Sequence, residues 1–424
     1  MKTDTNQLVK VIDFWQKSAA RNELFDREIL KDINLDTREI VDLIGPRRSG
    51  KSSILKLIIK HLNLKNNFLY INFEDPFFIE NNKPQIIEEI ISIFQEYFDK
   101  NVRYVFFDEI QAIDQWEKAL RKLRDGGNFR IFITGSSSKL LSGEMSSLIT
   151  GRHLSHKVFP LSFTEFLAFK KFEVKNKKDI ILKEKQLLRK FDNYLIFGGF
   201  PEFILSKNPE LLKNYFFDII QKDIVNRYKI REKNILEKMA VYLLSNSAKI
   251  LSIESLKKTF NISFVSAVSY LGYFKDVFLV FDLPQFSYSL KKQNKAMKKI
   301  YVIDNGLAGS VSFKFSEDKG RMLENLVFLE LKREGSEICY YKTKENLEVD
   351  FLIKKKTIVK NLIQVSWDLS DAKTKEREIK SLFSAIEELK LKNGLLLTYE
   401  EEEVIKKDGK TIIVKPTYKW LLEK

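Results

Sequence analysis

The sequence predicts an α/β protein: a parallel sheet in its first third, a helical region after it, and a smaller αβββαβ unit at the end. Three observations predict this. Short apolar runs alternate with amphipathic stretches through the first 135 residues, and a glycine-rich turn joins the first such pair. The alternation stops near residue 166 and resumes in a different order after residue 317.

In chain order, the first forty residues read as a helix around Leu8 to Ser18 followed by a polar connector. EIVDLIG (39–45) is a buried strand ending in glycine, and SSILKLIIKHL (52–62) has helical spacing of its apolar residues. Further strands are expected at NFLYINF (67–73), VRYVFFD (102–108) and FRIFITG (129–135), with helices at 84–98 and 115–126 between them. Strands alternating with helices imply a parallel sheet covered on both faces. Beyond residue 166 the chain becomes helical, punctuated by FGGFPEFIL (197–205). Three helices follow, NILEKMAVYLLSNS, LSIESLKKTF and SFVSAVSYLGYFKDV, with Ser252 and Ser263 as N-caps. Two strands, VFLVFDL and KKIYVID, are joined by SYSLKKQNKAMKK. Three helices and a hairpin make a winged-helix plan, with that basic loop as the wing. From Gly320 the order is helix, three strands (ICYYKT, LEVDFLI, NLIQVSW), helix, strand. No repeat with a period of 20 to 50 residues is visible.

At 424 residues the chain is long enough for two to four domains. It contains no apolar run of about 18 residues that would span a bilayer, and MKTDTNQLVK lacks the apolar core of a signal peptide. A single cysteine, Cys339, excludes an internal disulfide framework, so a reducing cytoplasm is the expected compartment. The net charge of +15 is concentrated: residues 166–316 hold 27 Lys+Arg against 14 Asp+Glu, while the flanks are nearly neutral. A basic block of this kind fits either a polyanion, DNA more than RNA, or lysines on solvated helices.

GPRRSGKS (45–52) satisfies G-x-x-x-x-G-K-[ST] between a strand and a helix. Gly45 and Gly50 let the loop curl, and the backbone N–H groups of Pro46 to Ser53, the proline apart, line a phosphate cradle (Arg47, Arg48, Ser49, Gly50, Lys51, Ser52, Ser53). Lys51 is placed for the β- and γ-phosphates of ATP and Ser52 for Mg2+. In YVFFDEIQ (104–111), Asp108 is the expected Mg2+ partner and Glu109 the general base. Ser136, at the end of IFITGSSS, reads either as a γ-phosphate sensor or as a helix N-cap. Arg152, in LITGRHL, reads either as a cation on the transferred phosphate, supplied in cis or by a neighbouring subunit, or as a surface ion pair. His153 and His156 beside it read as packed residues rather than a metal site.

GPRRSGKS, FFDEIQ, ITGSSS, GR followed by FPLSFTEF, and FGGFPEF together resemble a family of archaeal and bacterial AAA+-type P-loop ATPases. In that family the ATPase module is followed by a winged helix and a restriction-endonuclease-like domain of unknown function. The resemblance implies a P-loop NTPase domain over 1–165, a helical lid or linker over 166–231, a winged helix over 232–316 and a nuclease-like domain over 317–424. It implies ATP hydrolysis with Mg2+, possible homo-oligomers, and nucleic acid as partner. A nucleotide-controlled switch that binds protein is the alternative, and an ATP-coupled nuclease a third.

The third reading turns on the last unit. PD-(D/E)xK nucleases present a helix acid, a strand acid and then D/E-x-K on the next strand, the lysine positioning water. Here Glu324 matches the helix acid, and Asp350 or Glu348, on one strand face, the strand acid. At D/E-x-K the sequence reads Gln364-Val365-Ser366, so the lysine is missing unless Lys354, Lys355 or Lys356 migrates into place. The expectation is a nuclease-like fold that has lost its chemistry.

Overall fold

The computed structural model describes residues 4–20, 24–135, 151–312 and 318–423, and the chain divides into two compact units, Met1–Phe159 and Pro160–Lys424. In the first, helix α1 (Thr5–Ala20) precedes β1 (Ile40–Ile44), α2 (Lys51–His61), β2 (Phe68–Asn72), α3 (Gln85–Tyr97), β3 (Tyr104–Asp108), α4 (Trp116–Gly126), β4 (Arg130–Gly135) and β5 (His153–Lys157). The five strands form one sheet of order β2-β3-β4-β1-β5, every neighbouring pair parallel. All five residues of β1 are buried, as expected of a central parallel strand covered on both faces. Its one charge, Asp42, is held by Ser155 Oγ at 2.6 Å and His153 Nδ1 at 2.9 Å on β5. These hydrogen bonds compensate a buried carboxylate. The helices pack apolar stripes on the sheet: Ile86, Ile87, Ile90, Ile91 and Phe94 of α3 are all buried.

In the second unit α5 (Phe163–Phe169) opens with a capping box between Ser162 and Glu165 and is followed by α6 (Glu184–Phe197). Then come α7 (Lys233–Ser245), β6 (Lys249–Leu251), α8 (Ile253–Phe260), α9 (Phe264–Asp276), β7 (Val280–Leu283) and β8 (Lys298–Val302). The three strands form an antiparallel sheet of order β6-β8-β7. Ser252 and Ser263 accept the N–H of Ser255 and Ser266, at 3.1 and 2.9 Å, and so cap α8 and α9. Where the basic loop is expected between β7 and β8, Leu290–Lys295 is a short helix. Ser289 caps it by accepting the Lys292 N–H, and the lysines and glutamine that follow are good helix formers.

After β8, α10 (Asn305–Val311) and α11 (Lys319–Arg333) lead into β9 (Glu337–Lys342), β10 (Glu348–Lys355), β11 (Ile358–Val365), α12 (Ala372–Glu388) and β12 (Asn393–Thr398). A hairpin that the sequence reading lacks, β13 (Glu403–Lys407) and β14 (Lys410–Pro416), extends the sheet to six strands of order β13-β14-β12-β11-β10-β9. The sheet is mixed, with β11, β12 and β14 parallel.

Two glycines explain the FGGFPEF punctuation. Gly198 has φ 73°, and a Cβ there would meet Asp304 Oδ1 at 2.1 Å; a Cβ on Gly199 would meet Leu161 O at 2.5 Å. This close approach lets Asp304 accept the Gly199 N–H at 2.7 Å while it caps α10 through the Leu307 N–H at 2.8 Å. Leu161 N–H in turn donates to Gly199 O at 2.8 Å. The PLSF and GGFP segments are therefore parts of one joint.

Candidate nucleotide-binding site

The glycine-rich loop follows directly from the C-terminal end of β1 and leads into α2. Gly50 takes the left-handed conformation, φ 97°, and Arg48 also has positive φ, 66°. This curls the loop back over the start of α2, whose N-terminal N–H groups and dipole favour an anion. Gly45 is required for a different reason: a Cβ would lie 2.2 Å from Val158 O. Arg27 braces the loop from below, donating to Ser49 O at 3.0 Å and Phe159 O at 2.9 Å.

Lys51 is buried and its ammonium donates to Pro46 O at 2.9 Å and Gly45 O at 3.1 Å, with Glu109 Oε1 4.0 Å away. These are weak neutral acceptors that a phosphate would replace. Ser49 is fully buried and its hydroxyl has no hydrogen-bond partner. Ser53 is exposed on α2, and Arg47 points to the rim, paired with Glu74 at 3.0 Å.

Asp108 ends β3 and is fully buried. Tyr70 OH donates to its Oδ2 at 2.9 Å, Thr134 Oγ1 donates to its Oδ1, and Ser52 adds a third hydroxyl. Burial and then the neighbouring Glu109 charge push this carboxyl up, and the three hydroxyls oppose the shift. Glu109 is held in the left-handed region, φ 52°, by its N–H bond to Thr134 Oγ1 at 2.9 Å, and Gln111 donates to its carboxylate. Lys51, Ser52, Asp108 and Glu109 are therefore together. The donor set fits Mg2+, a hard cation that takes a carboxylate and a hydroxyl and keeps waters.

Two expected members remain. Ser136 lies outside the described residues. Arg152 is at the opposite end of the sheet: its carbonyl accepts the Ile40 N–H at 2.9 Å, at the start of β1, and its guanidinium pairs with Asp125 at 3.5 Å. One strand length, roughly 15 Å, separates it from the loop, so Arg152 does not serve this loop in cis. Its position follows from β5, which the polar HLSHK hides from an apolar-run reading: β5 pairs with β1 from His153 onward. The sequence reading also missed Tyr70, Thr134 and Arg27. Thr134, the polar residue near the end of an apolar strand beside the acid pair, carried a usable signal; the other two carried none.

The second acidic centre lies in the C-terminal unit. Glu324 on α11 and Glu348 and Asp350 on β10 converge, but on Lys299 of β8, whose Nζ lies 2.7, 2.8 and 2.9 Å from their carboxylates. Burial and the Asp350 charge push Glu324 up to about 7, against Lys299. Tyr301 OH donates to Glu324 at 2.6 Å. Gln364 is not a free ligand: its Oε1 accepts the Asp350 N–H at 3.1 Å and its amide donates to Glu378 at 2.6 Å. Ser366 donates to Asp368 O, and Lys354 pairs with Glu337 instead of migrating inward. Among the described residues, no group of three or more His, Cys, Asp or Glu is disposed to hold a metal ion, and no helix is long and apolar enough to cross a membrane.

Residues 37–167 match the AAA domain family, and residues 188–318 and 319–418 match two domains of unknown function, DUF8612 and DUF4143. The uncharacterized protein MJ1544 of Methanocaldococcus jannaschii is 42% identical over 423 residues, covering 95% of this chain and 92% of that protein. An uncharacterized protein of Haemophilus influenzae is 29% identical over 334 residues, 76% of this chain and 80% of that one. Among solved structures, the Aeropyrum pernix ORC1 protein in complex with DNA is 11% identical and covers 75% of this chain and 93% of that chain at a TM-score of 0.31. AMPPCP-bound DnaA from Aquifex aeolicus is 12% identical, covering 63% and 88% at 0.25. Scores of this size do not establish a shared fold.

Proposed function

The chain belongs to the family of the Methanocaldococcus jannaschii protein MJ1544, and, given its AAA domain, we propose that it is an AAA+-type ATPase that binds ATP with Mg2+ and hydrolyses it. The observation that carries this reading is the acid pair at the end of β3. Asp108 is ringed by hydroxyls, and Glu109 lies 4.0 Å from the loop lysine. ATP phosphates replace the Gly45 and Pro46 carbonyls as partners of Lys51. Ser52 and Asp108 would hold Mg2+, which neutralises phosphate charge. Glu109 orients water and takes its proton, and Thr134 fixes both acids in place.

Nucleotide state is then coupled to a partner bound by residues 166–316, read as a helical lid or linker (166–231) and a winged helix (232–316), with 317–424 a nuclease-like fold without chemistry. The basic excess of this region supports nucleic acid, DNA before RNA. A specific observation supports a protein partner instead. On α9, which would be the recognition helix, Phe264, Val265 and Val268 are 49%, 72% and 45% exposed, and the only Lys or Arg is Lys275 near its end. An apolar exposed face suits protein better than a phosphate backbone. A soluble, cytoplasmic protein that assembles with copies of itself completes the reading.

The experiment is ATP turnover with and without duplex DNA across a salt series. The nucleic-acid reading expects DNA stimulation that falls as salt rises and disappears with turnover itself in Lys51→Ala. Turnover indifferent to DNA at low salt favours the protein partner, and absence of turnover under every condition refutes the ATPase.

A further inference from the structure

We propose that the acidic centre of the C-terminal unit is locked by the chain's own ammonium: Lys299 is its resident cation, and the three acids clamp β8 to α11 and to the six-stranded sheet instead of holding a divalent metal ion. The proposal concerns a site remote in function from ATP hydrolysis and does not depend on it.

The geometry argues it directly. An ammonium has three N–H donors and no acceptor. Lys299 donates to Asp350 Oδ1 at 2.9 Å, and its Nζ lies 2.7 and 2.8 Å from carboxylate oxygens of Glu324 and Glu348, so the ammonium is enclosed by carboxylates and not turned toward a water molecule as a nuclease lysine is. Lys299 is 3% exposed, and a buried charge of this kind persists only when it is paired and hydrogen-bonded. The other groups a metal would recruit are also engaged. Asp350 Oδ2 accepts the Val365 N–H at 3.0 Å, Glu324 accepts Tyr301 OH, and the Gln364 carbonyl accepts the Asp350 N–H.

The same strand is fastened a second time. Asn325, next to Glu324 on α11, accepts the Val302 N–H at 2.8 Å and donates to Val302 O at 3.1 Å. The Tyr301 ring stacks on Phe328, centroids 4.0 Å apart and planes 3° from parallel. Residues 299, 301 and 302 of β8 thus meet consecutive turns of α11, and the ammonium is the electrostatic part of that seam. What reads as a nuclease centre with its lysine missing is a centre whose lysine comes from another strand and is spent on holding the sheets together.

The test titrates the full-length protein with Mn2+ in the absence of nucleotide, read by Mn2+ electron paramagnetic resonance and by thermal unfolding. Wild type and Asp350→Asn are expected to bind Mn2+ identically. Lys299→Met, of similar length and no charge, is expected to gain one Mn2+ site, with Tm raised about 5 °C at a hundredfold excess over Kd. Adding Asp350→Asn to it should abolish that gain. Should Lys299→Met fail to fold, the charge-matched Lys299→Met/Glu348→Gln is expected to recover folding. Mn2+ binding by the wild type that Asp350→Asn removes overturns the proposal, as does Mn2+-dependent DNA cleavage lost on Asp350→Ala. So does a folded Lys299→Met that takes no Mn2+, or a charge-matched variant no more stable than the single one.

Discussion

On the proposed reading, replacing Glu109 by glutamine should separate the binding of ATP from its hydrolysis. Gln keeps the shape of the side chain and its contact with Gln111, but removes a negative charge 4.0 Å from the Lys51 ammonium. At an effective dielectric of about 20, a unit pair at that separation is worth about 4 kcal/mol before desolvation is counted. In the nucleotide-free protein Glu109 therefore competes with phosphate for Lys51, and Glu109→Gln should leave ATP affinity unchanged or raise it by up to about tenfold. Loss of the base should lower kcat by roughly 10²- to 10⁴-fold. Titration with a fluorescent ATP analogue and a phosphate-release assay read the two effects separately. A Glu109→Gln protein that keeps kcat within tenfold of wild type, or loses ATP affinity more than tenfold, refutes the assignment.

Three further outcomes follow from the packing. Arg152→Ala should lose only the solvent-screened pair with Asp125, leaving both stability and turnover essentially unchanged; a tenfold loss of kcat would show that a second copy supplies this arginine. Gly199→Ala drives a Cβ to 2.5 Å from Leu161 O and should cost about 2 kcal/mol or more, whereas Gly272→Ala, on α9 with nothing within 4 Å, should stabilise by about 0.5 to 1 kcal/mol; chemical denaturation ranks them, and equal effects would contradict the close approach. Burial holds Asp304 at about 6, above its unfolded value, so its favourable contribution is complete at low pH and is lost as pH rises through 6, by about 3 kcal/mol. Asp304→Asn sacrifices an acceptor but no longer ionises, so its Tm deficit against wild type should narrow from pH 4 to pH 8; a deficit that widens would reverse the sign.

The N-terminal sheet was legible because its strands are apolar and its loop has a fixed chemistry. β1 to β4 and the helices between them fall within a residue or two of the expected spans. β5 was not, because HLSHK faces solvent in part and buries polar groups against Asp42 instead of apolar ones. The β13–β14 hairpin carries an Asp408-Gly409 turn, a local signal that the apolar-run reading passed over. Arg152 and Lys299 show the deeper limit. Spacing places residues along an element but does not say which end of a sheet a loop returns to, or which distant strand supplies a charge. Lys299 stands in a lysine-rich stretch, KKQNKAMKK, where nothing local separates the buried lysine from its exposed neighbours.

The lysine on β8 also bears on how the protein can be cut. The match to DUF4143 begins at residue 319, which invites expression of the C-terminal sheet as a separate fragment. Such a fragment would leave Glu324, Glu348 and Asp350 facing one another without their cation, and Asn325 without the strand it grips. The boundary drawn by family similarity should therefore not be a boundary of cooperative folding. A fragment that begins at Pro160, where the second compact unit starts, keeps the ammonium with its acids and should be the more stable of the two.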